Sequence, residues 1–251
     1  MGTIIAKGID VSKHQGNIYW TVAKNSIDFA MIRAGYGTTV DENFGKNAKS
    51  CSLYGIPFGA YWFSYALSVE EAKEEAKRFL QTVANHNLTY PLAFDFECAS
   101  YDYMVKNKIT PTKELIIDIA TAFLTEIEKA GYYAMIYANK DYVTKYFNTL
   151  REKYDLWYAR WNVEVPDLAC GMWQKGTASI AGISGLVDLD YSYKNYPEII
   201  KKMKDNKNIE NNLDEIIEAT LEAVTEEFDK IKTEILFKRI REILSKYISM
   251  E

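Results

Sequence analysis

The sequence predicts an α/β protein: an eight-stranded barrel of (β/α)5(β)3 type followed by a C-terminal α-helical segment. Three observations point there. Eight short apolar, β-rich runs recur between residues 7 and 193. Helical patterns fill the early gaps between them and disappear after residue 161. From about Asp205 the chain keeps an unbroken helical period.

The runs are KGIDVS (7–12), FAMIRAG (29–35), PFGAYWFSY (57–65), PLAFDFE (91–97), YYAMIYA (132–138), DLWYARW (155–161), CGMWQK (170–175) and LVDLDYSY (186–193). Between the early ones, Ser68 with Glu71 forms a capping box ahead of EEAKEEAKRFLQTVA. Thr110 with Pro111 opens KELIIDIATAFLTEIEKAG, which ends on Gly131. Alternating strands and helices imply a parallel sheet. After residue 161 the gaps fall to about ten residues, too short for a crossover helix, so the last three strands should pair without helices between them. The outcome is a shortened, TIM-like barrel. An open doubly wound sheet is the alternative, but no G-x-G-x-x-G turn supports it.

Residues 1–200 are therefore read as one barrel domain and 205–251 as a helical appendage. The last 47 residues contain no Gly, Pro or Trp. Leu213, Ile217, Leu221, Val224, Phe228, Ile231 and Ile235 step by threes and fours, and the stripe continues with a phase shift through Ile240, Ile243, Leu244, Tyr247 and Ile248. One long helix with an irregularity, or two stacked helices, would satisfy this pattern. The tail has 12 acids and 7 bases, leaving residues 1–204 with 23 of each. Within it, 205–229 has 9 acids and 1 base, and 230–251 has 3 acids and 6 bases. That asymmetry suits the helix dipole and antiparallel self-association.

Composition excludes several classes. With 48% hydrophobic residues the chain is not disordered. A net charge of −5 without a Lys/Arg cluster gives no reason to expect nucleic acid. Cys51, Cys98 and Cys170 have neither zinc nor disulfide spacing and read as buried thiols. Two histidines, His14 and His86, leave no material for a histidine-rich metal site or a serine triad. No run has the length and apolarity of a membrane span, and the start lacks the pattern of a secretory signal, so synthesis in a cytoplasm is expected.

The chemistry concentrates in PLAFDFECAS (91–100). Strand alternation puts Leu92, Phe94 and Phe96 on one face and Ala93, Asp95 and Glu97 on the other, with the two acids about 6–7 Å apart. A wet-faced edge strand is the bland reading. In a barrel, however, Asp10 ends the first strand, and Asp188 with Asp190 sits in the eighth, next to it. The carboxylates would converge on one rim. Crowded like charges raise at least one pKa, and a protonated acid beside an ionised one is what glycosidic cleavage needs. A Mg²⁺ or Ca²⁺ site competes for such a cluster, but no phosphate-cradling or Ca²⁺ loop accompanies it, so no metal and no cofactor are expected. Tyr61, Tyr137, Trp161 and Trp173, at the strand ends, are candidate sugar platforms. Arg33 is expected to pair with an interior acid, His14 to be structural, and Ser12 to cap or to orient Asp10 by hydrogen bonding.

GIDVSKHQG (8–16), MIRAGYG (31–37), FGAYWFSYA (58–66), FDFE (94–97), MIYAN (135–139), LWYARW (156–161), MWQK (172–175) and GISGLVDLDYS (182–192) resemble, in order, the motifs of the glycoside hydrolase family 25 lysozymes. The resemblance covers about residues 5–195. It implies an N-acetylmuramidase of retaining type that cleaves the β-1,4 bond from N-acetylmuramic acid to N-acetylglucosamine in bacterial peptidoglycan, as phage endolysins do. It implies Glu97 as general acid and Asp95 as its partner, either nucleophile or guide of the substrate's acetamide, with Asp10 and Asp188 lining the site. A catalytically inactive carbohydrate-binding barrel is the alternative. Trp62 stands where the family often has His, and Asp190 where it often has Asn.

Overall fold

The structure, a computed structural model, describes residues 2–248. All eight predicted runs are strands. Their order is β1 (Ala6–Val11), β2 (Phe29–Tyr36), β4 (Phe58–Phe63), β5 (Leu92–Asp95), β6 (Ala134–Asn139), β7 (Asp155–Ala159), β8 (Met172–Ser179) and β9 (Leu186–Ser192). A short β3 (Thr39–Val40) turns back on β2 outside the ring. Hydrogen bonding runs β1-β9-β8-β7-β6-β5-β4-β2, and β2 returns to β1, so the barrel closes and no edge is left open. Pairing is parallel from β1 through β8, and β9 is antiparallel to both neighbours.

The connections explain the change of direction. Helices α1 (Trp20–Ala23), α2 (Phe44–Tyr54), α3 (Val69–Val83), and α4 (Cys98–Lys106) with α5 (Lys113–Lys129) carry the chain back along the first four barrel strands. After β6, α6 (Lys140–Tyr142) runs into a π turn at Val143–Phe147. From β7 onward no helix intervenes, as the short gaps required. Ser68 caps α3, its Oγ accepting the Glu71 amide at 3.2 Å. The cap of α5 is Thr112 rather than Thr110 and Pro111: its Oγ1 accepts the Leu115 amide at 3.2 Å. A capping oxygen reaches the amide two or three residues on, and Thr112 stands three residues before Leu115, where the apolar stripe starts. Gly131 follows α5 at φ 82°, where a side chain would be strained.

Strand alternation produces two cores. Outward residues such as Ile32, Trp62, Phe94 and Ile136 pack beneath the helices with Phe79, Ile116 and Phe123. The Phe94 and Phe123 rings lie 5.0 Å apart, and each fully buried Phe stabilises the fold by about 1.5–3 kcal/mol. Met31, Tyr61, Ala93, Met135, Tyr137 and Trp157 fill the barrel itself. A bulge at Arg33/Gly35 adjusts β2 against β4, and a Cβ at Gly35 would fall 2.4 Å from the Trp62 ring.

The final helix, α7, spans Tyr196–Ile248 without interruption, so the expected irregularity is not there and the helix starts before Asp205. Residues up to Lys201 belong to the barrel unit. Tyr196 is fully buried there, 5.6 Å from both Tyr90 and Tyr133 by ring centroids, and its hydroxyl donates to Asp155 Oδ2 at 3.0 Å. Asp155 begins β7, so this plug closes the barrel end opposite the strand C-termini. Residues 202–251 form the second unit, in which Leu213, Ile217, Leu221, Val224, Phe228, Ile231, Ile235, Ile240 and Ile243 are all exposed. The side chains of Leu244, Tyr247 and Ile248 lie outside the described residues. The cysteines are all free, but Cys98 is exposed, against expectation, because it opens α4 on the solvent side.

Candidate active site

The site is built first from the end of β5. The strand stops at Asp95, yet Glu97 stays extended at φ −130°, ψ −172°, so alternation persists for two residues beyond the ladder. Phe94 and Phe96 therefore stay in the outer core, while Asp95 and Glu97 turn to the barrel mouth. Glu97 is also the residue before α4, and its backbone N–H donates to Ser100 Oγ at 3.2 Å, which fixes its backbone.

Antiparallel register supplies the opposite wall. Asp10 lies across from Asp188 and Gly8 from Asp190 in the β1–β9 pair, and Gln174 lies across from Asp190 in β8–β9. Asp10, Asp95, Glu97, Asp188, Tyr61, Tyr137, Arg33 and Gln174 line one cavity of about 340 Å³, with His14 and Gln15 also on its wall. A second cavity of about 430 Å³ shares Glu97, Tyr137 and Gln174 with the first and is walled by Asn139, Arg160 and Trp161. Together they make a continuous, polar trough across the strand C-termini.

Seven of the eight predicted site residues line this trough. Trp161, 43% exposed, offers a ring to the second cavity. Trp173 does not reach either cavity: Met172 and Gln174 point inward, so alternation sends it outward, where it is 1% exposed and donates to the Arg160 carbonyl at 2.7 Å. Ser12 does not orient Asp10. Its Oγ accepts the His14 amide at 3.2 Å and caps a short 3-10 turn, Lys13–Gln15. Arg33 pairs with a buried acid, Asp41, through Nε at 2.9 Å and a terminal nitrogen at 2.8 Å.

Sequence reading missed Gln174, although it stands in the MWQK motif. Its Oε1 accepts from Trp161 Nε1 at 2.9 Å and from the Tyr137 hydroxyl at 3.0 Å, and its Nε2 donates to Asp10 Oδ2 at 2.8 Å. An indole N–H can only donate, so the amide orientation is fixed. Tyr137 has one hydrogen and gives it to Gln174. Toward Glu97 it can then offer only lone pairs, which favours a Glu97 that carries a proton.

Electrostatics run the same way. Burial raises the Glu97 carboxyl above its ordinary value and Asp188 adds to the effect, while a hydroxyl donated by Tyr137 would oppose it. Burial, then Glu97, raises Asp95, with Arg33 opposing. Burial, then Asp190 and Asp188, raises Asp10. Asp190 is fully buried, accepts from Trp157 Nε1 at 2.7 Å, and is pushed by burial up to about 8. Among the described residues, Asp95 Oδ1 has no hydrogen-bond partner within the chain and no group of His, Cys, Asp and Glu is arranged to hold a metal ion.

A family model for the glycosyl hydrolases family 25 matches residues 9–182. The chain belongs to this family. Lysozyme M1 of Streptomyces globisporus is 28% identical over 197 residues, covering 72% of this chain and 66% of that protein. The modular autolysin LytC from Streptococcus pneumoniae, solved with a synthetic peptidoglycan ligand, superposes with a TM-score of 0.67 at 25% identity, over 74% of this chain and 46% of LytC. The CTP1L endolysin gives 0.66 at 25% identity, over 79% and 70%. This family 25 chain thus spans less than two thirds of both Lysozyme M1 and LytC. Among its described residues, no helix is long and apolar enough to cross a membrane.

Proposed function

We propose that this family 25 protein is an N-acetylmuramidase that cleaves the β-1,4 bond between N-acetylmuramic acid and N-acetylglucosamine in bacterial peptidoglycan, as an endolysin-type wall hydrolase. The observation that carries the reading is the Tyr137–Gln174 polarity, which leaves Glu97 the donor in a trough open to a chain of sugars.

Glu97 gives its proton to the glycosidic oxygen as the bond to C1 lengthens. Asp95, beside it on the same extended face, supplies negative charge to the positive charge growing at C1. Its Oδ1 is buried and accepts no hydrogen bond from the chain, so no internal partner ties that oxygen down. C1 bonds on its opposite face to Asp95 or to the substrate's own acetamide oxygen as the leaving sugar departs; the ionised Glu97 then takes a proton from a water whose oxygen bonds to C1 while that first bond breaks, which completes hydrolysis with retention. Asp188 adds negative potential near Glu97, which helps keep its proton in place until the transition state. Trp161, Tyr61 and Tyr137 present apolar ring area to pyranose faces. Relatives named as a lysozyme, an autolysin with a peptidoglycan ligand and an endolysin support the substrate class.

Mass analysis of fragments released from purified walls tests the assignment. Products ending in reducing N-acetylmuramic acid are expected, and Glu97→Gln should release them about 10²–10⁴-fold more slowly. Reducing N-acetylglucosamine ends, free stem peptides, or an undiminished Glu97→Gln rate would overturn it.

A further inference from the structure

The second unit carries an apolar seam that its own residues do not cover. Ile217, Leu221, Val224, Phe228, Ile231 and Ile235 are between 47% and 71% exposed and follow one another by 4, 3, 4, 3 and 4 residues. That spacing is a heptad seam, which a single helix in water does not maintain without a partner. We propose that it binds the same seam of a second copy of this chain, running antiparallel, to form a homodimer.

The residues at the next heptad positions identify the partner and its direction. The heptad spacing continues by three residues at each end, to Asp214 before Ile217 and to Lys238 after Ile235. Both positions fall in the seam, and both side chains are exposed. The series from Asp214 to Lys238 is symmetric about Glu226. An antiparallel copy therefore sets Ile217 against the partner's Ile235, Leu221 against the partner's Ile231, and Val224 against the partner's Phe228. Each end closes with Asp214 against the partner's Lys238. A parallel copy in register would set Asp214 on Asp214 and Lys238 on Lys238, two like-charge layers in place of two ion pairs. Flanking charge agrees: 205–229 has 9 acids and 1 base, 230–251 has 6 bases and 3 acids, and only antiparallel pairing brings the unlike halves together. Glu227, near the two-fold axis, is balanced within its own chain by Lys230 at 3.6 Å. One patch meeting its own copy is the isologous geometry of a closed dimer.

Sedimentation equilibrium of the full chain at micromolar concentration should give twice its 28.9 kDa mass. Asp214→Lys alone and Lys238→Asp alone should each raise the dimer dissociation constant about tenfold or more, since each replaces ion pairs by like-charge layers, and the double exchange should recover wild-type association. Rescue by the double exchange is specific to antiparallel pairing, because a parallel dimer keeps like-charge layers in all four proteins. Val224→Asp with Phe228→Asp should give a monomer whose barrel unfolds at the wild-type temperature. A monomeric wild type, a larger oligomer, or single exchanges without effect would overturn the proposal, as would a double exchange that fails to rescue.

Discussion

Gln174 holds Tyr137 by its amide oxygen and Asp10 by its amide nitrogen, 3.0 and 2.8 Å away, and so links the two walls of the trough through one side chain. The link has a direction because Trp161 fixes which end of the amide is oxygen.

Removing that amide should therefore change the acid rather than merely the packing. In Gln174→Leu the Tyr137 hydrogen is released and can be donated to Glu97, which stabilises the ionised carboxylate and lowers its pKa. The alkaline limb of the pH–rate profile, set by loss of the Glu97 proton, should move down by about one pH unit. An unmoved limb in the variant would refute the link.

Asp190 offers a test through stability. Its folded pKa of about 8 lies above the ordinary carboxylate value, so between the two the folded state holds a proton that the unfolded chain has lost, and stability falls as pH rises. Asp190→Asn keeps an oxygen for Trp157 and cannot ionise. It should match wild type below about pH 4 and become more stable by an amount growing toward pH 8, on the order of a few kcal/mol. Denaturant midpoints across that range measure it.

Glu75 secures the site from behind. Its carboxylate accepts from Ser64 Oγ at 2.6 Å and from the Tyr65 amide at 2.9 Å, and the Ser64 amide donates to the carbonyl of Asp95 at 2.8 Å. Burial pushes Glu75 up to about 7. Glu75→Ala leaves buried donors unpaired and should cost about 1–3 kcal/mol, with a fall in kcat as the end of β5 loosens. Thermal unfolding and wall turnover read the two effects separately.

Trp161 should act on binding alone. With its ring at the second cavity, and with Asp10 still accepting from the Gln174 amide nitrogen once the indole N–H is gone, Trp161→Phe should raise KM for soluble glycan fragments about 2- to 10-fold with kcat within a few-fold of wild type. A loss confined to kcat would contradict the platform role.

Much of this is legible in the sequence. Period-two alternation assigned Asp95 and Glu97 to one face, and gap lengths separated the helix-linked strands from the last three, because both follow from local geometry of the chain. Trp173 faces outward, not into the site, because its neighbourhood in sequence says nothing of which strand face looks inward; that depends on Gln174 being recruited to the interior. The Tyr196 plug was invisible for a related reason: its partners Tyr90, Tyr133 and Asp155 lie 41 or more residues away in sequence.

By itself, then, the sequence determined the strands, the barrel class, the carboxylate set and the heptad seam of the tail, all of which are periodic or compositional properties of short segments. Tertiary structure alone decided the Gln174 linkage, the Arg33–Asp41 pair, the burial of Asp190 and the sealing of the barrel floor. Each of these depends on hydrogen-bond direction or desolvation among residues far apart in the chain, and those quantities exist only once the strands have closed into a ring.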